Sequence, residues 1–175
     1  SHCTTMEYKN PGDFIVCLGS LNGKIGGSEY LKIIHNHIKG PLANIDIDYE
    51  VDIQNLCLSA IKKGIIRSAH DMSDGGLAVN IAESILSADE RIGASISIET
   101  KLRQDEILFG ECQSVIIVTV QQSDLMELMS LSKSNKLHVQ TIGRVTNDSR
   151  LIINDLIDVD KSELKQSYFN YYSNL

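Results

Sequence analysis

A strand that runs through a doubled glycine into an amphipathic helix constrains this chain more than any other feature of its sequence. Residues 65–70 read as a strand, and Asp71-Met72-Ser73-Asp74-Gly75-Gly76 as a tight turn. Leu77, Ile81, Ala82 and Ile85 then recur at helical spacing on one inward stripe. A unit of this kind needs a layered arrangement, with helices covering a sheet.

The rest of the chain repeats the pattern. Residues 14–18 are a short apolar strand closed by Gly19, and a loop through Gly23, Gly26 and Gly27 leads to a helix expected over 28–38, ended by Gly40-Pro41. The next helix carries Ile53, Leu56, Cys57, Ala60 and Ile61 on one stripe, with Gly64 as its stop. Residues 94–98 alternate as a strand and 115–120 form a solidly apolar one. Leu125, Leu128 and Met129 mark a helix opened by Ser123. Residues 137–145 and 151–153 suggest a closing hairpin around Asn147-Asp148. A last helix, over about 161–172, carries Tyr168, Phe169, Tyr171 and Tyr172. That aromatic cluster either packs internally or covers a surface shared with another domain.

The 175 residues are expected to form one domain, with Ser1-His2 set aside as a tag remnant. A formal net charge of −7 and the lack of any basic stripe longer than Lys62-Lys63 exclude a general nucleic-acid binder. No apolar run approaches the ~20 residues that span a bilayer, and no signal-peptide pattern opens the chain, so no membrane partner is expected. Cys3, Cys17, Cys57 and Cys112 are widely spaced. Cys17, in an apolar strand, and Cys57, on an apolar helix stripe, read as reduced, buried thiols of a cytoplasmic protein, and the spacing of the four does not suit a metal site.

Three segments are candidates for chemistry. The turn at Asp71, Ser73, Asp74, Gly75 and Gly76 has the geometry that aims free N–H groups at an anion. Its glycines would let a phosphate approach the backbone closely. Its two aspartates would repel a bare phosphate, but suit a magnesium ion or a sugar hydroxyl. Equally, Ser73 is the helix N-cap and Asp74 complements the helix dipole. In the second segment, Gly26 and Gly27 precede a helix start that Ser28 would cap; it lacks the Gly-Lys-Ser/Thr of a P-loop. In the third, residues 109–114, an extended backbone points Glu111 and Gln113 to one face and Cys112 to the other. The pair either binds a polar ligand or bonds backbone at the sheet's end. Among the histidines, His35 and His37 face apart, His138 stands alone, and only His70, beside the Asp71 turn, merits a test.

The same segments carry a family resemblance. Gly26-Gly27-Ser28-Glu29-Tyr30-Leu31, the stretch from Ala69 through Asp71 and Gly76 to Ala78, Phe109-Gly110-Glu111-Cys112-Gln113-Ser114 and Ile142-Gly143-Arg144-Val145 occur in that order. Over residues 8–165 the chain resembles the C-terminal domain of the AIR synthetase (PurM) superfamily, in its PurL-type formylglycinamidine ribonucleotide synthase branch. The resemblance implies an α+β fold with helices packed around a mixed β-sheet. It implies part of an ATP-dependent C–N ligase of purine biosynthesis, which amidates formylglycinamide ribonucleotide with glutamine-derived ammonia. ATP and Mg2+ would be cofactors of the whole enzyme, held mainly by N-terminal ATP-binding domains outside these residues, together with the catalytic groups. The chain alone is then expected to be inactive, without a metal of its own. The implied partners are those N-terminal domains, a PurQ-type glutaminase and a small PurS-type subunit. The resemblance also implies an arginine after Gln113-Ser114, where this chain has Val115. The alternative is a non-catalytic phosphate-binding or scaffold module that assembles with a glutaminase.

Overall fold

The computed structural model describes residues 3–42 and 44–173, with side chains to Asn170. Ser1-His2 and the side chains of Tyr171 and Tyr172 therefore lie outside the described residues. In chain order the elements are β1 (Phe14–Leu18), α1 (Glu29–His35), α2 (Ile47–Lys62), β2 (Ile66–Asp71), α3 (Gly76–Leu86), β3 (Gly93–Ile96) and α4 (Gln104–Phe109). There follow β4 (Ile116–Val120), α5 (Leu125–Ser134), β5 (Val139–Thr146), β6 (Arg150–Ile153), β7 (Ile157–Asp160) and α6 (Lys161–Ser173). Among the described residues the strands form one seven-stranded sheet, in the order β2-β4-β1-β5-β3-β6-β7. Neighbours pair antiparallel except β3 and β6, so the sheet is mixed, as expected.

The solidly apolar strands lie at the centre because both of their faces are covered. Along β1, Ile15 and Cys17 enter a core beneath α3 and α4, while Val16 and Leu18 enter a second core beneath α2 and α5. β4 divides in the same way, with Ile117 on the first side and Val118 and Val120 on the second. Period-2 alternation thus sends successive apolar residues into different cores. Toward β3 the second layer ends: Ser95, Ser97 and Arg144 are exposed, and the Arg144 guanidinium lies 3.9 Å from the centre of the Phe14 ring.

Several boundaries differ from those expected. Residues 137–153 are not a hairpin, because β3 lies between β5 and β6, with Ala94 opposite Val145 on one side and Leu151 on the other. The insertion is possible because Gly93 lacks a side chain. A Cβ there would lie 2.4 Å from the Arg150 carbonyl oxygen. α1 ends at His35, not near residue 38, because Asn36 adopts the left-handed conformation and its N–H returns to the Leu31 carbonyl. α5 is entered at Asp124, not Ser123, and Ser123 donates instead to Asp124 Oδ1 at 2.9 Å. α4 and β7 had no counterpart in the sequence reading.

Candidate functional site

The three candidate segments meet, and Glu111 is what joins them. Its Oε1 accepts hydrogen bonds from Glu29 N at 2.9 Å and from Gly75 N at 3.0 Å. Its own N–H donates to the Lys24 carbonyl at 2.8 Å. Glu29 is the first residue of α1 and Gly75 is the N-cap of α3, so one carboxylate serves two helix N-termini. This is the place a bound anion would occupy, and the chain supplies the anion itself.

Two of the glycines here, Gly76 and Gly110, are required by protein backbone. Gly76 has φ +67°, and a Cβ on it would meet the Phe109 carbonyl carbon at 2.7 Å and the Gly110 oxygen at 2.8 Å. Gly110 in turn faces Gly23 Cα at 2.9 Å from its own missing Cβ. The close approach expected of a phosphate is thus made by the 109–110 segment. Other donors here also have internal partners: Gly27 N donates to the Lys39 carbonyl at 2.9 Å and Gly76 N to the Ser73 carbonyl at 3.2 Å.

Ser28 caps α1 as expected. It is buried, accepts from Leu31 N at 3.3 Å and donates to the Ile25 carbonyl at 2.7 Å. Ser73, by contrast, does not cap α3. The cap is Gly75, which is left-handed and has no side chain to bond, and Ser73 Oγ donates at 2.9 Å to Asp71 Oδ2. The doubled glycine carries the turn two residues farther before the helix begins, which displaces Ser73 from the capping position. Asp74 is exposed beside it.

Asp71 and Gln113 line one cleft at the ends of β2 and β4, together with Met72, Ser114 and two residues of α2, Glu50 and Gln54. The sequence reading missed Glu50 and Gln54. They lie one turn apart, with Gln54 Nε2 donating to Glu50 Oε1 at 2.6 Å, and nothing local distinguishes them from any polar helix face. With Glu50 and Asp71 both present, the cleft suits hydroxyl or ammonium donors better than phosphate oxygens. Cys112 points the other way, as expected, and is buried with Sγ accepting from Asn22 N at 3.3 Å. Behind it, burial pushes the Cys17 thiol up to about 12, with Cys112 adding to the effect. Val115 lies in the core beneath α3, a place for an apolar side chain and not for a guanidinium.

His70 is enclosed by α3. Nδ1 lies 3.3 Å from both the Asn80 carbonyl and Ser84 Oγ, and Nε2 lies 3.5 Å from Glu83 Oε2. Asn80, itself buried, donates to the Asp71 carbonyl at 2.8 Å and so fixes the strand end to the helix. Among the described residues no three or more His, Cys, Asp or Glu side chains converge on a common point. Asp71 Oδ2 is already engaged by Ser73, and the Gly27, Gly75 and Gly76 amides are engaged internally. These residues do not fit a nucleotide–magnesium complex, and no chemical step through one is assigned to them.

Comparisons with known proteins follow the same outline. The family described as AIR synthase related protein, C-terminal domain, matches residues 10–155. Curated relatives carry the name phosphoribosylformylglycinamidine synthase subunit PurL. That of Caldanaerobacter subterraneus subsp. tengcongensis is 36% identical over 171 residues, 96% of this chain and 23% of the relative. That of Alkaliphilus metalliredigens is 37% identical over 163 residues, 93% of this chain and 22% of the relative. The chain thus spans less than a quarter of the length of these relatives. Among solved structures, Thermotoga maritima PurL complexed with ATP superposes with a TM-score of 0.73 at 17% identity, over 93% of this chain and 27% of that one. Thiamine-monophosphate kinase from Stenotrophomonas maltophilia follows the fold less closely, with a TM-score of 0.58 at 20% identity, over 87% of this chain and 53% of that one. No described helix is long and apolar enough to cross a membrane.

Proposed function

The chain belongs to the family of AIR synthase related C-terminal domains, and from that membership we propose that it serves as the C-terminal domain of a PurL-type formylglycinamidine ribonucleotide synthase. The complete enzyme is then an ATP-dependent C–N ligase. It replaces the amide oxygen of formylglycinamide ribonucleotide with ammonia-derived nitrogen and releases phosphate. Cytoplasmic location, Mg2+ as the nucleotide's counter-ion, a PurQ-type glutaminase and a PurS-type subunit belong to the same reading. So does the treatment of residues 1–175 as one domain, with the ATP-binding domains elsewhere in the polypeptide.

The observation that carries the proposal is the family match over residues 10–155; within it, the Glu111 carboxylate holds Glu29 N and Gly75 N and so draws all three motif segments together. Around that clamp Asp71, Ser73, Asp74 and Gln113 are exposed. We assign them, with Gly26, Gly27 and Gly75 at the rim, to the lining of a polar-ligand site in the assembled enzyme. Ser28, Gly76 and Glu111 hold that rim from beneath. The test is an assay of the intact polypeptide and of the 175-residue chain with ATP, ammonium and formylglycinamide ribonucleotide. Turnover by the intact polypeptide and none by the chain alone is the expected result. An intact polypeptide that leaves formylglycinamide ribonucleotide unchanged overturns the synthase reading, and turnover by the chain alone overturns its assignment as a dependent domain.

One observation favours a second reading, a scaffold module that binds no phosphate. Both helix-terminal amides that would meet an anion are already satisfied by Glu111. Titration of the chain with ADP and with formylglycinamide ribonucleotide separates the two readings. Saturable heat that is lost in Asp71→Asn supports a ligand site; silence with both supports the scaffold.

A further inference from the structure

Large aliphatic side chains crowd into solvent along one short stretch of the chain. Ile33 is 71% exposed, Ile34 62%, Ile38 78%, Leu42 77%, Ile45 54% and Ile47 65%. α1 buries none of its residues. This stretch is nonetheless firmly held. Tyr30 stacks on Phe109 with ring centres 4.9 Å apart, Gly27 N donates to the Lys39 carbonyl, and His37 N donates to the Leu31 carbonyl at 3.0 Å. Gly26 and Gly40 pass so closely that a Cβ on Gly40 would lie 2.8 Å from Gly26 Cα.

The patch continues onto α2, which carries two apolar stripes. Ile53, Leu56, Cys57 and Ala60 face the core. Ile47, Val51 and Leu58, spaced by four and seven residues, share a face on roughly the opposite side, and all three are exposed. A helix that is apolar on both sides belongs to one covered on both sides. So many exposed large aliphatic side chains on a hydrogen-bonded framework mark an interaction surface.

We propose that this face, α1 with residues 36–42 and 44–47 and the outer stripe of α2, is an intramolecular domain interface, covered in the complete polypeptide by chain outside these 175 residues. The proposal rests on the reading of the chain as part of a longer synthase. The amount of chain outside it identifies the occupant: the relatives match 93–96% of this chain, yet it supplies only 22–23% of their length. More than three quarters of such a polypeptide is therefore available to cover one face, at the effective concentration that covalent connection gives. The face is continuous with the candidate site, since α1 begins at Glu29 on the Glu111 carboxylate. The domain that covers it also reaches the rim at Gly26 and Gly27.

The test uses the intact polypeptide, whose mass is measured first. A mass near 19.4 kDa overturns the reading as part of a longer synthase. Given a longer polypeptide, Ile38→Cys and Leu58→Cys are treated with N-ethylmaleimide in the native and urea-unfolded states, and labelling is read by peptide mass spectrometry. The expected result is labelling at least tenfold slower in the native state, unchanged over a hundredfold dilution. Native labelling within twofold of the unfolded rate overturns the interface while leaving the synthase reading intact. Protection that vanishes on dilution assigns the face to a second copy, and protection that appears only when other subunits are added assigns it to them; either overturns the proposal. Hydrogen exchange at residues 36–42 of the unmodified polypeptide reads the same surface without substitution.

Discussion

Glu111 shows at the scale of one residue how an apparent anion site becomes a structural clamp. Two helix N-termini converge on a half-buried point, and two N–H donors left there without an acceptor would each cost about 1–3 kcal/mol. A carboxylate meets both with one oxygen, and its charge is the sign that the two helix dipoles favour. Glu111→Ala is therefore expected to destabilise the chain by about 2–3 kcal/mol in urea unfolding, while Glu111→Gln, which keeps an acceptor oxygen, loses about half as much. Equal losses in the two variants would show that charge decides, and no loss in either would remove the clamp. The sequence singles out Glu111 and leaves two roles open, a polar-ligand contact or bonds to backbone. The two bonds to Glu29 N and Gly75 N are of the second kind, though their partners could not be named from sequence. Its two partners lie 82 and 36 residues away, and no local pattern encodes such distances.

Between elements, legibility followed periodicity. α2 and α3 carry long inward stripes, and both lie where the spacing of their apolar residues predicts. α4 has six residues and β7 four, too few to establish a period against their loops. The order of β5, β3 and β6 is a long-range choice. It depends on Gly93 and on three paired strands, while the turn at Asn147-Asp148 looks the same from within whether or not a strand lies between its arms. The doubled glycine implies a close backbone approach, and at Gly76 the 109–110 backbone makes one. Gly76→Ala tests that contact. It forces an L-residue to φ +67° and drives its Cβ into the 109–110 backbone, whereas Gly64→Ala at φ +75° has nothing within 4 Å. The backbone conformation alone costs roughly 1–2 kcal/mol at either position. Denaturant unfolding should show Gly64→Ala losing about that amount and Gly76→Ala clearly more. Equal losses would mean that the packing of α3 on residues 109–110 contributes nothing.

On the scale of the whole molecule, a sheet covered on both faces has a consequence for its response to alkali. Cys17 lies in the core beneath α3, beside Cys112, and Cys57 in the core beneath α2, so both cores contain buried thiols. Burial pushes Cys17 from an ordinary 9.0 to about 12 and Cys57 from 9.0 to about 11. Above pH 9 the unfolded chain releases these protons while the folded chain retains them. The folded state then binds more protons, and stability must fall as pH rises. The stabilisation is fully present below about pH 9, and each thiol removes about 1.4 kcal/mol per pH unit above it, until its own folded value is reached. The buried Tyr8 phenol, also pushed up by burial, adds to the loss above its ordinary 10.0. Lys161, held by the carbonyls of Ala88 and Asp89 at 3.0 and 2.7 Å, acts in the opposite sense. Burial lowers its pKa, so its share of stability grows with pH and offsets part of the decline. With two thiols and a phenol against one ammonium, the urea midpoint should drop steadily from pH 8.5 to 10.5. The decline should be shallower in Cys17→Ala/Cys57→Ala, measured against its own midpoint at pH 8 because the lost packing lowers the whole curve. A wild-type midpoint that holds level across that range, or a double variant whose slope matches wild type, would place the alkaline response outside the two cores.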